Sequence, residues 1–195
     1  MIPAPSDKSL QTLDLPSGSV RPSVKIILGR LAWAWVRLFL FRPWPRRLGN
    51  TWRSLLLRLF GAKIGKGVFL SPDIRVMQPW KLEIGEWTAI GEGVHFYNFD
   101  LIKVGRMVVI SQDAYLCTGT HDYTHPHNPL VVKPITIADE AWVAAGVFVA
   151  PGVEIAHGAV IGARAVVTKS MPPWMFCAGN PCKPIKARII RDCRS

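Results

Sequence analysis

The chain runs to 195 residues, 49% of them hydrophobic, and carries a formal charge of +11 at pH 7. That length fits one domain, or one domain with an appendage, and the apolar content is enough for a continuous core. The charge is uneven: residues 1–61 hold ten basic side chains against two acidic, residues 62–182 nine against ten, and residues 183–195 five against one. A neutral body with basic ends lacks the broad basic surface of a nucleic-acid binder, and no such partner is expected. The four cysteines form no CxxC pair and no zinc spacing, so plain thiols in a reducing compartment are expected.

Residues 1–22 read as a flexible leader, polar and rich in proline and serine. They show no early apolar run of the kind a secretory signal has, which favours the cytoplasm. Residues 23–61 read as an amphipathic helical segment. Val24 to Phe41 predicts a first helix, but Lys25, Arg30 and Arg37 make it a poor membrane span. Arg30 and Arg37 share one face, while Trp33, Trp35, Leu38, Phe39 and Phe41 supply apolar surface. Pro43 and Pro45 end that helix. A second is predicted from Thr51 to Phe60, stopped by Gly61. Two roles stand open for these helices. They cover the open end of the next unit, or they lie on the inner face of an anionic membrane as a peripheral anchor.

From Ile64 onward an apolar residue returns at every sixth position. The runs are Ile64, Leu70, Val76, Leu82; Ile84, Ile90, Phe96, Ile102; Val104, Ile110, Leu116; and Ile137, Val143, Val149, Ile155, Ile161, Val167. Small or β-branched residues recur four positions later, as at Val68, Thr88, Val108, Ala141 and Ala159, and Gly or Ala often follows directly, as at Gly65, Gly85, Gly105 and Ala138. A period of six matches no helix, yet it holds one short strand plus a turn, and such repeats mark a β-helix. Three hexapeptides per coil make a triangular prism with the apolar residues inside, coils stacking ~4.8 Å apart. Small residues at the turns are expected to let the chain corner. The predicted fold is an all-β solenoid, a parallel β-helix over residues 62–172, with a basic tail over 173–195.

The six-residue rule lapses between Thr120 and Ile137, predicting an extruded loop over 121–136. Three of the five histidines, His121, His125 and His127, lie there. Long loops cost a solenoid little and are where function concentrates. Cys117-Thr118-Gly119-Thr120-His121-Asp122-Tyr123 opens this loop; Phe60-Gly61-Ala62-Lys63-Ile64-Gly65 precedes it, and Ala141-Trp142-Val143-Ala144-Ala145-Gly146, Val166-Val167-Thr168-Lys169 and Ala178-Gly179-Asn180-Pro181-Cys182-Lys183 follow. In this ordered set the chain resembles, over about residues 25–190, the hexapeptide-repeat O-acetyltransferases of the maltose, galactoside and Nod-factor type. It is most similar to those named for colanic acid biosynthesis.

The resemblance implies a left-handed β-helix, a homotrimer with sites between neighbouring prisms, and direct transfer of acetyl from acetyl-CoA to a sugar hydroxyl without an acyl-enzyme. His121 matches the general base: a sugar hydroxyl is too weak an acid to attack a thioester unaided, and neutral imidazole accepts a proton near pH 7. Asn98 matches the residue that holds the acceptor, and Asp100, a polar residue where the repeat prefers a small one, joins it as a substrate candidate. The coenzyme A positions are Ala145, Ala163, Thr168 and Lys169, with Lys183 and Lys186 in the tail, and a backbone N–H near Ala145 is the expected oxyanion donor. Family members often carry arginine at the two tail positions; lysine keeps the charge without the bidentate fork. Asp122 and Tyr123 follow the histidine where maltose and galactoside enzymes have proline, which favours a polysaccharide or glycan precursor as acceptor. No metal is expected. Two alternatives are a γ-carbonic-anhydrase-like metalloenzyme, whose histidine spacing His95, His121, His125 and His127 do not supply, and a non-catalytic membrane-docked solenoid module.

Overall fold

The computed structural model describes residues 22–45 and 49–191. The leader expected over 1–22 lies, apart from Pro22, outside the described residues, as does Cys193.

Three parallel sheets form the faces of a prism of about six turns, as the repeat requires. The first face stacks strands Lys63–Ile64, Leu82–Ile84, Ile102–Val104, Ile135–Ile137 and Glu154–Ile155. The second runs from Phe69–Leu70 through Trp142–Val143 to Met175–Ala178, and the third from Arg75–Val76 through Tyr115–Cys117 to Val166–Val167. Register partners are 20 residues apart at Ile84↔Val104, 33 at Val104↔Ile137 and 18 at Ile137↔Ile155. The extruded residues therefore leave the ladder between the third and fourth coils without shifting the inward set. Every residue of the six-residue runs is buried, Ile64 being the most accessible at 7%.

The turns refine the expectation about small residues. Gly65 and Gly85 are needed for close approach: a Cβ would stand 2.6 Å from the nitrogen of Glu86 in the first case and 2.5 Å from Gly105 in the second. The left-handed conformation sits two residues later, at Gly67, but also at Trp87 (φ 57°), Met107 (φ 54°) and Glu140 (φ 59°). Stacking distance, more than backbone freedom, selects the small residue after the aliphatic.

Helix α1 spans Val24–Val36 and continues as a π-helical turn, Arg37–Phe41; α2 spans Asn50–Leu59 and ends at Gly61 (φ 88°). These helices plug the open first coil. Higher in the prism the carbonyls of Ile84, Ile90 and Phe96 accept from Gly65, Ser71 and Met77 of the coil beneath. The first coil has no coil beneath it, so the carbonyls of Ile64, Leu70 and Val76, one on each face, need other donors. Arg58 donates to Ile64 from Nε and Nη2 (3.0 and 2.7 Å), Arg53 Nε to Leu70 (3.0 Å) and Trp33 Nε1 to Val76 (2.7 Å). Arg53, wholly buried, also donates to the Trp44 carbonyl. Trp33 and Phe41 pack edge to face and share the buried core with Leu56 and Leu57. The covering role is therefore met, and only one side of the helices meets it: Leu28, Leu31, Trp35, Leu38, Phe39 and Leu59 remain exposed. At the far end, Lys183–Ala187 folds back antiparallel on Met175–Ala178. Cys117, Cys177 and Cys182 are free and buried.

Candidate active site

The extruded segment is a β-hairpin, a feature its sequence did not announce. Gly119–His121 pairs antiparallel with Leu130–Val132, His121 opposite Leu130. Its tip is tied by backbone bonds from Asp122 N–H to Pro129 O and from Asn128 N–H to His125 O, and the Asp122 carboxylate accepts from Thr124 N–H and Oγ1. Those two bonds hold the Asp122 carboxyl below its usual range. Asn128 takes the left-handed conformation (φ 44°), which turns its carbonyl onto His121 Nδ1 at 2.7 Å. A carbonyl can only accept, so Nδ1 carries a proton, and in the neutral ring the lone pair is on Nε2, on an exposed side chain. This is the tautomer a general base needs, fixed by one backbone oxygen.

Other candidates fall on two corners of the prism. Asp100 lies one coil below the hairpin at the corner between third and first faces: its N–H donates to Thr118 Oγ1 at 2.9 Å and its Oδ1 accepts from Leu101 N–H. Phe99 beside it packs so closely on Gly119 that a Cβ there would stand 2.8 Å from the ring. Thr168 and Lys169, exposed, occupy the same corner after Val167. Asn98 is at this corner too, but its side chain faces inward and is fully used. Its Oδ1 accepts from Met77 and Gln78 N–H, and its Nδ2 donates to the carbonyls of Gln78 and Lys81. Being wholly buried, it offers no free atom to a sugar.

Ala145 and Ala163 lie on the next corner, between second and third faces, one coil apart. Their neighbours are paired, Gly146 N–H to Gln112 O and Arg164 N–H to Ala145 O, while the N–H groups of Ala145 and Ala163 make no hydrogen bond among the described residues. Trp142 projects from the second face, 46% exposed, its Nε1 donating to Ser111 Oγ at 3.0 Å. Further along that face a cavity of about 500 Å³ is lined by Val160, Phe176, Lys186 and Arg191. Lys186 Nζ stands 5.9 Å over the Phe176 ring, and Lys183 is exposed where its strand starts, opposite Ala178. Arg188 is committed elsewhere, donating to the carbonyls of Glu140 and Gly158. Among the described residues, no three His, Cys, Asp or Glu side chains come together as a metal set. Asn128 and Ser111 were not foreseen, since nothing marks a residue that acts through its carbonyl or supports a tryptophan.

The geometry is thus a hexapeptide prism that carries an oriented histidine on an extruded hairpin and, among the described residues, two corner amides without partners. No protein-family profile matches the chain. It is 44% identical over 160 residues to the Escherichia coli K12 protein named for colanic acid biosynthesis, the acetyltransferase WcaF, covering 82% of this chain and 87% of that protein. Its fold is similar to that of a maltose O-acetyltransferase from Clostridium difficile 630 (TM-score 0.77, 25% identity, 85% of this chain and 89% of the other). It is also similar to a galactoside acetyltransferase solved in complex with coenzyme A (TM-score 0.79, 90% and 89% covered), where 23% identity speaks to fold alone. The chain belongs to the hexapeptide-repeat acetyltransferases.

Proposed function

We propose that the protein transfers acetyl from acetyl-CoA to a hydroxyl of a polysaccharide or glycan precursor, with His121 as general base. The observation that carries the role of His121 is its contact with the Asn128 carbonyl. In the reaction, Nε2 takes the proton of the sugar hydroxyl as its oxygen attacks the thioester carbon. The tetrahedral intermediate collapses with loss of the C–S bond, and the imidazolium returns the proton to the departing thiolate, giving an O-acetyl ester and free coenzyme A. The unpaired Ala145 N–H is the oxyanion donor, and with the Ala163 N–H one coil away it offers the pantetheine arm two donors ~4.8 Å apart. Lys183 and Lys186 supply charge to the nucleotide phosphates, with Thr168 and Lys169 beside them in the assembled site. Asp100 is the remaining acceptor contact.

The base and the pantetheine donors sit on different corners of one prism. A head-to-tail ring brings one copy's corner against the other corner of its neighbour, which supports a homotrimer with sites between prisms. The exposed apolar side of α1 and its π-helical turn supports peripheral membrane association. From Leu15 to Pro72 the sequence has no acidic residue and eleven basic ones, a composition suited to anionic lipid. No helix among the described residues is long and apolar enough to cross a membrane. Incubating wild-type protein and His121→Ala with acetyl-CoA and lipid-linked glycan intermediates tests the reading by mass spectrometry. Acetylated glycan from the wild type alone is expected, and equal product from both removes the histidine from the mechanism.

A further inference from the structure

A cavity of about 330 Å³ opens where the π-helical turn meets the prism, lined by Arg37, Arg42, Asp73, Arg75, Gly93 and Asp113. Three guanidinium groups converge there from two elements: Arg37 and Arg42 from the end of the first helix, Arg75 from the outer side of the first strand on the third face. Like charges gathered at a partly buried place repel one another, so such a cluster is stable only if something answers it. Burial, then Arg75 and then Arg42, push the Arg37 guanidinium below its usual range.

The described residues do not answer them. Among the described residues none of the three side chains makes an ion pair or a side-chain hydrogen bond. Asp73 turns one oxygen to Gly93 N–H at 3.0 Å, and its other oxygen is buried without any donor. Asp113 is held at a left-handed turn (φ 57°) and forms no ion pair with an arginine among the described residues. Cations outnumber carboxylates in the lining by three to two. The arrangement lacks an anion for the arginines and an O–H donor for Asp73. A phosphate that keeps one proton supplies both, and guanidinium forks match phosphate oxygens in pairs. Directly beside the cavity, Leu38, Phe39, Leu40 and Trp44 are exposed.

We infer that Arg37, Arg42 and Arg75 form a phosphate-binding site at the rim of the apolar helical face, taking the phosphate or diphosphate group of an amphiphile whose apolar part lies along that face. The amphiphile part of this inference rests on the membrane reading above; the phosphate site itself does not. Two sources share this chemistry, the head group of a bilayer phospholipid and the diphosphate that joins a glycan to a polyisoprenyl carrier.

Calorimetric titration of the full chain with inorganic pyrophosphate tests the site without acyl transfer or a membrane. Saturable binding that weakens with salt is expected, and Arg37→Gln/Arg75→Gln should weaken it by roughly tenfold or more per guanidinium lost. The melting temperature of that variant should hold or rise, because self-repulsion is relieved. Absence of wild-type binding, or unchanged affinity in the variant with a lowered melting temperature, overturns the proposal. The exposed Arg42→Gln provides the same readout should the double variant fold poorly. Neutral phosphatidylcholine vesicles carrying a little polyisoprenyl diphosphate, compared with phosphatidylglycerol vesicles, separate the sources. Arginine-dependent binding to the first alone identifies a carrier-linked acceptor, and to both a general head-group site; arginine-independent binding to both overturns the link to the amphiphile. Failure here leaves His121 untouched, just as an active His121→Ala would leave pyrophosphate binding standing.

Discussion

The helical cap and the hairpin both abandon the six-residue rule, and they use hydrogen bonds in opposite directions. In the cap, side chains serve the backbone: Arg58, Arg53 and Trp33 donate to carbonyls that the first coil leaves without partners. In the hairpin the backbone serves a side chain, the Asn128 carbonyl fixing which nitrogen of His121 holds the proton. Loss of a cap residue should therefore register as stability, and loss of the histidine as chemistry. Arg53 and Trp33 are buried and their loss orphans a buried acceptor, whereas the ring of His121 is exposed and its loss orphans little.

The largest break in that comparison comes from His121→Ala, for which kcat should fall ~10²–10⁴-fold with the thermal midpoint unmoved; activity within about threefold of wild type, far below that range, sinks the assignment. Next comes Phe41→Ala, which removes a wholly buried ring and should cost ~3–5 kcal/mol in denaturant unfolding. The neighbouring Phe39→Ser, on the exposed side, should stay within ~0.5 kcal/mol yet reduce co-sedimentation with phosphatidylglycerol vesicles. Equal losses of stability at both positions would mean that the helices have no free side. Lys183→Ala/Lys186→Ala should raise KM for acetyl-CoA, more at low salt than at high, because charge attraction to phosphate is screened; an unchanged KM moves the phosphates elsewhere.

The smallest effect concerns Cys182, whose thiol is pushed up to about 11 from 9.0 by burial and then by Cys177. The folded state thus keeps a proton that the unfolded chain releases, so stability is complete below about pH 9 and declines as pH rises toward 11. Cys182→Ala should flatten that decline in pH-dependent urea unfolding. An unchanged slope would place its cause in other groups.

The prism was legible because its information is local and repeated: one position in six must be apolar, and Ile137 through Val167 state this without exception. The base was legible as a residue type in a loop, but its orientation was not. That depends on the backbone angle of Asn128, seven residues away. Asn98 shows the limit most clearly. An amide suits a sugar hydroxyl and a bare backbone turn equally well, and only the inward direction of its side chain decides between them. For the first helix, charge and apolar content left covering and membrane contact both open, and which side chains do the covering did not follow: Trp33 and Phe41 are buried, Trp35, Leu38 and Phe39 exposed. Beyond α1 the phase is shifted by the π-helical turn between Arg37 and Phe41.

The plugged first coil also bears on how this molecule avoids its own copies. A parallel β-helix that simply stopped would present a triangular rim of open strand edges, able to template a further coil from any second molecule. Registers along such a prism repeat so closely that one end could accept another, and growth would lead to fibres. With Arg58, Arg53 and Trp33 seated on the three downward carbonyls, this rim has no acceptor left at those positions for an incoming strand. Two arginines and a tryptophan thus set the length of the solenoid at its first coil, and keep a surface rich in exposed leucine from becoming the start of an aggregate.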